Sequence, residues 1–77
     1  MTPHRAATIH TVYSALAELP VLMTTSQVAD LLQVSRRKVE AMSADGTLAK
    51  VKVGRTVRFY RDDVAGLIER SYQAPSS

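Results

Sequence analysis

The basic side chains of this chain are concentrated in one stretch. Of its ten lysines and arginines, eight lie between Ser35 and Arg61, where only Glu40 and Asp45 are acidic. This stretch has a net charge of +6, whereas the rest of the 77 residues sums to −3. Such a concentration of cations is typical of a surface that binds a polyanion, although charge alone also fits a solvated face. The eight are Arg36, Arg37, Lys38, Lys50, Lys52, Arg55, Arg58 and Arg61.

Other chemistries have little support in the sequence. The chain has no cysteine, which excludes disulfide, zinc-thiolate and iron–sulfur sites. His4 and His10 have no companions at ligand spacing, and no nucleophile, base and orienting group stand together. We therefore expect no enzyme activity, no metal, no cofactor and no small-molecule ligand. Without a long apolar run or an apolar leader, we expect no membrane contact and a place in the bacterial cytoplasm.

The elements that position the cations begin with two short helices. Thr24 to Gln27 match a capping box, which predicts a helix from Thr25 to Leu32. Ser35 is a good N-cap for a second helix from Arg36 to Ala44, which Asp45-Gly46 would end. Two short helices joined by about three residues are typical of a helix-turn-helix.

The second basic group lies on a predicted β-hairpin, because the apolar period changes to two after Leu48. Pairing Val53 with Val57 across a three-residue tip, 54–56, places the valines and Phe59 on one face. The same register sets Lys52 opposite Arg58, an unfavourable pair that an anion between them would relieve.

The remaining segments complete four predicted regions. These are a disordered N-terminus (1–8), an additional amphipathic helix (9–20), a winged helix-turn-helix domain (21–71) and a flexible tail (72–77). Within the domain, Asp62 and Asp63 favour the start of a last helix that runs to about Arg70 or Ser71. The additional helix either caps the small core or binds a second copy of the chain, and both interpretations stay open; its apolar face is Ile9, Val12, Tyr13 and Leu16. The predicted core is Val28, Leu31, Leu32, Val39, Met42, Leu48, Val51, Val53, Phe59, Val64, Leu67 and Ile68.

Two segments carry a family resemblance. The first is residues 23–39, from the capping box to the basic helix, and the second is residues 45–64, with the motifs Asp-Gly, Val-Gly-Arg and Asp-Asp. Together they resemble an excisionase-type winged helix. The chain is also similar here to the DNA-binding part of mercury-resistance-type regulators, and the likeness covers about residues 22–70. It implies an α+β fold and a protein that binds and bends double-stranded attachment-site DNA, directing a partner integrase towards excision. A small winged-helix transcriptional regulator is the alternative, and a protein-interaction module such as an antitoxin is a more distant one.

The expected site lies on three elements. The second helix would enter the major groove and the hairpin the adjacent minor groove, while the start of the first helix would hold a phosphate. For Glu40, a base contact and an ion pair with Arg36 both stay open. The expected residues are Ser35, Arg36, Arg37, Lys38, Glu40 and Ser43 on the helix, Lys50, Lys52, Gly54, Arg55, Thr56 and Arg58 on the wing, and Thr24 and Thr25 at the first helix.

Overall fold

The computed structural model describes Ser14 and residues 16–73. The described part contains a small three-stranded antiparallel sheet and three helices. This is the predicted α+β winged helix-turn-helix, and the fold class is confirmed. The elements in chain order are β1 Leu22–Met23, α1 Thr25–Leu32, α2 Arg36–Ala44, β2 Val51–Val53, β3 Thr56–Tyr60 and α3 Arg61–Ser71.

Side-chain caps define the starts of α1 and α2. The Thr24 hydroxyl accepts from the Gln27 backbone N–H at 3.1 Å, and the Gln27 side chain accepts from the Thr24 N–H at 2.9 Å. At α2 the Ser35 hydroxyl accepts from the Lys38 N–H at 3.0 Å. These bonds satisfy amides that a helix start otherwise leaves without partners. Both predicted caps, and the bounds of both helices, are confirmed.

The turn between α1 and α2 is closed by backbone hydrogen bonds. Gln33 has a φ of 58°, in the left-handed region that a non-glycine residue rarely occupies. Its N–H donates to Asp30, and the next N–H, of Val34, donates to Ala29 at 3.0 Å. This pair of bonds is a Schellman motif, which terminates α1 and turns the chain into α2.

The sheet has the order β1-β3-β2, and β1 was not predicted. Leu22 pairs with Tyr60 and Met23 with Phe59. A strand of two residues is too short to show an alternating pattern, so the sequence offers no periodicity for it. It closes one edge of β3 and brings Met23, with none of its surface exposed, into the core beside Phe59.

The predicted register of the hairpin is wrong by one residue. Val53 pairs with Thr56, Lys52 with Val57 and Val51 with Arg58, around a two-residue turn at Gly54-Arg55. Gly54 has a φ of 62° and Arg55 does not have a positive φ, the signs expected of a Gly-X type II′ turn. Paired residues share a face, so Lys52 and Arg58 lie on opposite faces and no anion can be held between them.

The core consists of α1, α2, α3 and the inner face of the sheet. Phe59 pairs with buried Met23 and is 1 % exposed, whereas Val53 is 62 % exposed, so its assignment to the core is wrong. Val51 is only partly buried. The buried apolar side chains are Leu16, Met23, Val28, Ala29, Val39, Leu48, Phe59, Val64, Ala65 and Leu67.

Arg61 ties the segment before β1 to the start of α3. Its Nη1 donates to the carbonyl of Leu19 at 2.6 Å and, more weakly, to those of Leu16 and Ala17 at 3.4 and 3.5 Å. Its backbone N–H donates to Val21 at 2.8 Å. One cation of the basic stretch therefore serves the fold.

The additional helix of residues 9–20 lies largely outside the described residues, which include none of Ile9, Val12 and Tyr13. Leu16 is 2 % exposed, and Leu19 packs against the core cluster. Leu19 therefore packs against the protein's own core, and the choice between a core cap and self-association stays a prediction.

Candidate nucleic-acid interface

The outward direction of α2 is set by its one buried residue, Val39. Successive side chains turn by about 100° around a helix, so residues two positions before and after Val39 lie nearly opposite it. These are Arg37 and Ala41, and both are exposed. They form the outward stripe of α2, the part of the helix that a groove of DNA would meet first.

The wing side of α2 carries Arg36 and Glu40, about 60° and 100° from the direction of Val39. Glu40 borders a hollow between α2, the wing and the start of α1, which we call the central hollow. Among residues 16–73 no ion pair joins Glu40 to Arg36, so the intrahelical pair is not formed and the carboxylate is exposed. The central hollow is lined by Thr25, Glu40, Ser43, Ala44, Lys50, Val57 and Phe59.

The opposite side of α2 carries Lys38 and Met42, which border an apolar groove against the C-terminal half of α3. Lys38 is exposed and is the only charged residue among the described residues that line the groove. The three successive cations of α2 therefore point in three directions, and Arg37 alone is on the outward stripe. The groove is lined by Leu32, Val34, Lys38, Met42, Leu67, Ile68, Ser71 and Tyr72.

Ser43 does not lie on the exposed face where the sequence placed it. Its hydroxyl oxygen is buried and has no hydrogen-bond partner among the described residues. It follows Val39 by one helical turn, and that spacing places it on the inward side. The spacing was available in the sequence and argues against a base contact from this hydroxyl.

The wing separates its cations. Lys52 pairs with Val57, which lines the central hollow, so Lys52 shares the face that looks towards α2. Lys50 lines the hollow itself, and Arg55 is exposed at the turn. Gly54 and Thr56 flank Arg55 and are exposed as well.

Arg58 differs from the other wing cations because it lies on the outer face. It is half-buried, and its Nη1 donates to the carbonyl of Val57 at 2.8 Å. The structure therefore places Lys50 and Lys52 on the side of the sheet that faces α2 and Arg55 at the tip of the wing, and leaves Arg58 on the outer face.

A family model described as a helix-turn-helix domain matches residues 22–72. The chain belongs to this family. The helix-turn-helix domain family includes excisionase-like DNA-binding domains, and membership indicates DNA binding. Searches of curated proteins and of solved structures returned no significant match.

The helix-turn-helix domain places the start of α1 beside the recognition surface. The Thr24 hydroxyl accepts the capping bond, and Thr25 borders the central hollow. The first amides of α1 stand at the positive end of the helix, where a phosphate is favoured. Both residues remain where the sequence expected them, at the edge of the candidate interface.

The loop that leaves α2 is held by Asp45. Its carboxylate accepts hydrogen bonds from the hydroxyl and, at 2.8 Å, the backbone N–H of Thr47. These bonds, with a smaller contribution from the positive charge of Lys38, hold the pKa of Asp45 below its ordinary value. Asp45 thus stays ionised and fixes the turn between the recognition helix and the wing.

The part of the chain that the structure describes, Ser14 and residues 16–73, offers neither a metal site nor a membrane span. No group of three or more histidine or acidic side chains there could hold a metal ion. No helix in this part of the chain combines the length and apolar character needed to cross a bilayer.

Proposed function

We propose that the protein binds double-stranded DNA with α2 in the major groove and the β2–β3 hairpin against the adjacent minor groove or backbone. The observation that carries this proposal is the placement of the cations. Arg36, Arg37 and Lys38 occupy the exposed first turn of α2, and no salt bridge within residues 16–73 neutralises them. The first turn of a recognition helix is the part that approaches base edges.

The wing supports the same orientation. Lys50, Lys52 and Arg55 lie on the side of the sheet that faces α2, or at its tip. A narrow minor groove attracts such side chains through its enhanced negative potential. Cations on both helix and wing would allow the two elements to contact adjacent grooves.

The finer proposal is an architectural role. The protein would bind attachment-site DNA, bend it because helix and wing hold different grooves, and direct a partner integrase towards excision. The resemblance to excisionases and the membership of a family that includes their DNA-binding domains support this role. Assembly of more than one copy along the DNA is part of the same proposal.

DNA binding is tested by fluorescence anisotropy on a duplex selected from a random pool, over a range of salt concentrations. Arg37→Ala should weaken binding to the selected site by about 1–3 kcal/mol, the usual contribution of a bidentate base contact. The matched control is Arg70→Ala, which removes the same charge from an exposed position on α3. Absence of measurable binding to any duplex, even at low salt, would contradict DNA binding and favour a protein-interaction module.

The architectural role is tested separately. A recombination assay with the proposed partner integrase, with and without the protein, should show excision that depends on it. A circular-permutation gel should show a bend at the selected site. A single operator near a promoter, with no effect on excision, would favour the transcriptional regulator.

A further inference from the structure

We propose that Ala41 is a sequence-reading residue whose methyl group contacts the C5-methyl group of a thymine in the major groove. The inference rests on the proposed function, because it assumes that α2 enters the groove. It adds a residue that the basic pattern of the sequence did not indicate.

The position of Ala41 is the first argument. Ala41 follows Arg37 by four residues, so both lie on the outward stripe, and both are exposed. The longer neighbours Lys38 and Glu40 point to opposite sides of the helix, towards the apolar groove and the central hollow. The side chains of Lys38 and Glu40 therefore leave the methyl group of Ala41 exposed, with Arg37 one helical turn away on the same stripe.

The size of the side chain is the second argument. A methyl group lets the backbone of α2 come close to the base edges, whereas a long side chain would hold it away. Thymine carries the one methyl group that the four common bases present in the major groove. An exposed alanine on the outward stripe matches that group and cannot satisfy the hydrogen-bonding edges of the other bases.

The spacing predicts where the thymine lies. Four residues advance by about 6 Å along a helix, and successive base pairs are about 3.4 Å apart. The thymine should therefore lie one or two base pairs from the base pair that Arg37 contacts. This gives the proposal a position within the site as well as a base.

The first experiment is a uracil scan of the selected duplex, because replacing thymine by uracil removes only the methyl group. One thymine should weaken binding by about three- to four-fold on replacement, the effect of one buried methyl-sized group. The expected position of this thymine is set by the base pair that Arg37 contacts. That base pair is the one at which the Arg37→Ala variant no longer distinguishes the preferred base from the others. No sensitive thymine within two base pairs of that position would overturn the inference.

The second experiment couples the two methyl groups in a double-mutant cycle. In Ala41→Gly the sensitive thymine should become insensitive, so that thymine and uracil duplexes bind equally. The control is Ala44→Gly, which makes the same change at the exposed last residue of α2, away from the outward stripe and on the lining of the central hollow. Ala44→Gly should keep the three- to four-fold difference, and loss of the difference in this control instead would overturn the assignment to Ala41.

The outcomes separate the inference from the proposed function. Sequence-specific binding without any uracil effect overturns the role of Ala41 and leaves DNA binding intact. Absence of binding to every duplex, even at low salt, overturns both.

Discussion

The recognition helix and the wing both present cations, but different interactions hold them. The start of α2 is defined within three residues, by the bond between Ser35 and Lys38. The wing is defined by pairing across β2 and β3 and by a second pairing of β3 with β1, whose residues are more than thirty positions away. One cationic surface is therefore built from local bonds and the other from distant ones.

The two regions also differ in how strongly the direction of a side chain depends on its position along the chain. One residue along α2 turns a side chain by about 100°, so a shift of one position changes the direction of Arg36, Arg37 or Lys38 without reversing it. One residue along a strand reverses the face completely. Lys52 and Arg58 show this, because a register change of one residue moves them from a shared face to opposite faces.

The largest expected effect tests the alternation of β3. Phe59→Ala should lower the free energy of unfolding by about 3–5 kcal/mol, because Phe59 is 1 % exposed and its loss leaves a cavity beside Met23. Tyr60→Ala, one residue later and 47 % exposed on the outer face, should cost much less. Urea denaturation followed by circular dichroism measures both, and equal losses would contradict the observed faces.

The next effect tests the register through DNA. Lys52→Ala should reduce the slope of log affinity against log salt by about 0.9, the value of one phosphate contact, because Lys52 shares the face that looks towards α2. Arg58→Ala should leave the slope nearly unchanged, because Arg58 lies on the outer face and bonds the Val57 carbonyl. The register expected from the sequence predicts that both variants reduce the salt slope equally. Anisotropy titrations of the two variants therefore decide between the two registers.

A smaller effect concerns the local bonds of the helical half. Gln33→Gly should raise the free energy of unfolding by about 0.5–1 kcal/mol, because glycine relieves the left-handed strain at φ 58° and loses part of that gain to its greater freedom in the unfolded chain. Gly46→Ala, at φ 86°, is the reverse control and should destabilise. Thermal melts of both variants provide the measurement, and an unchanged or lower melting temperature for Gln33→Gly would contradict the strain.

The smallest effect tests the connection between the two regions. Since Thr47 holds the pKa of Asp45 below its ordinary value, the carboxylate stabilises the fold at neutral pH. That contribution is lost as the pH falls from about 4 through the lower pKa of the folded state. Thr47→Val should remove part of it, so the stability difference from wild type should shrink between about pH 5 and pH 2 in denaturation midpoints. A difference that is constant with pH would exclude the hydrogen bond as its cause.

The helical half could be predicted from the sequence because its information is local. Thr24, Gln27 and Ser35 identify the caps by type and spacing, and the structure confirms the bounds of both helices. The wing could be predicted as a hairpin but not in its register. Val57 and Phe59 lie on one face of the strand, as expected. The turn has the two residues of a Gly-X type II′ turn, Gly54 and Arg55, instead of the expected three-residue tip.

Within the site, the sequence identifies which residues are cationic but does not show in which direction each side chain points. Arg61 counts as basic in the sequence, but it bonds carbonyls of the segment before β1, and only the fold brings these together. Ala41 gave no signal because alanine is common on any helix. Its exposure matters only once Val39 is known to be buried and Arg37 to share its stripe.

The bonds of Arg61 also bear on where this domain ends as a unit of folding. The helix-turn-helix family match begins at residue 22, but Arg61 donates to carbonyls six, five and three residues before that point. A fragment that begins at residue 22 would leave the Arg61 guanidinium without these acceptors. It would also lack the buried side chain of Leu16. In hydrogen exchange, the first turn of α3 and the segment from Leu16 to Val21 should open together, as one cooperative unit.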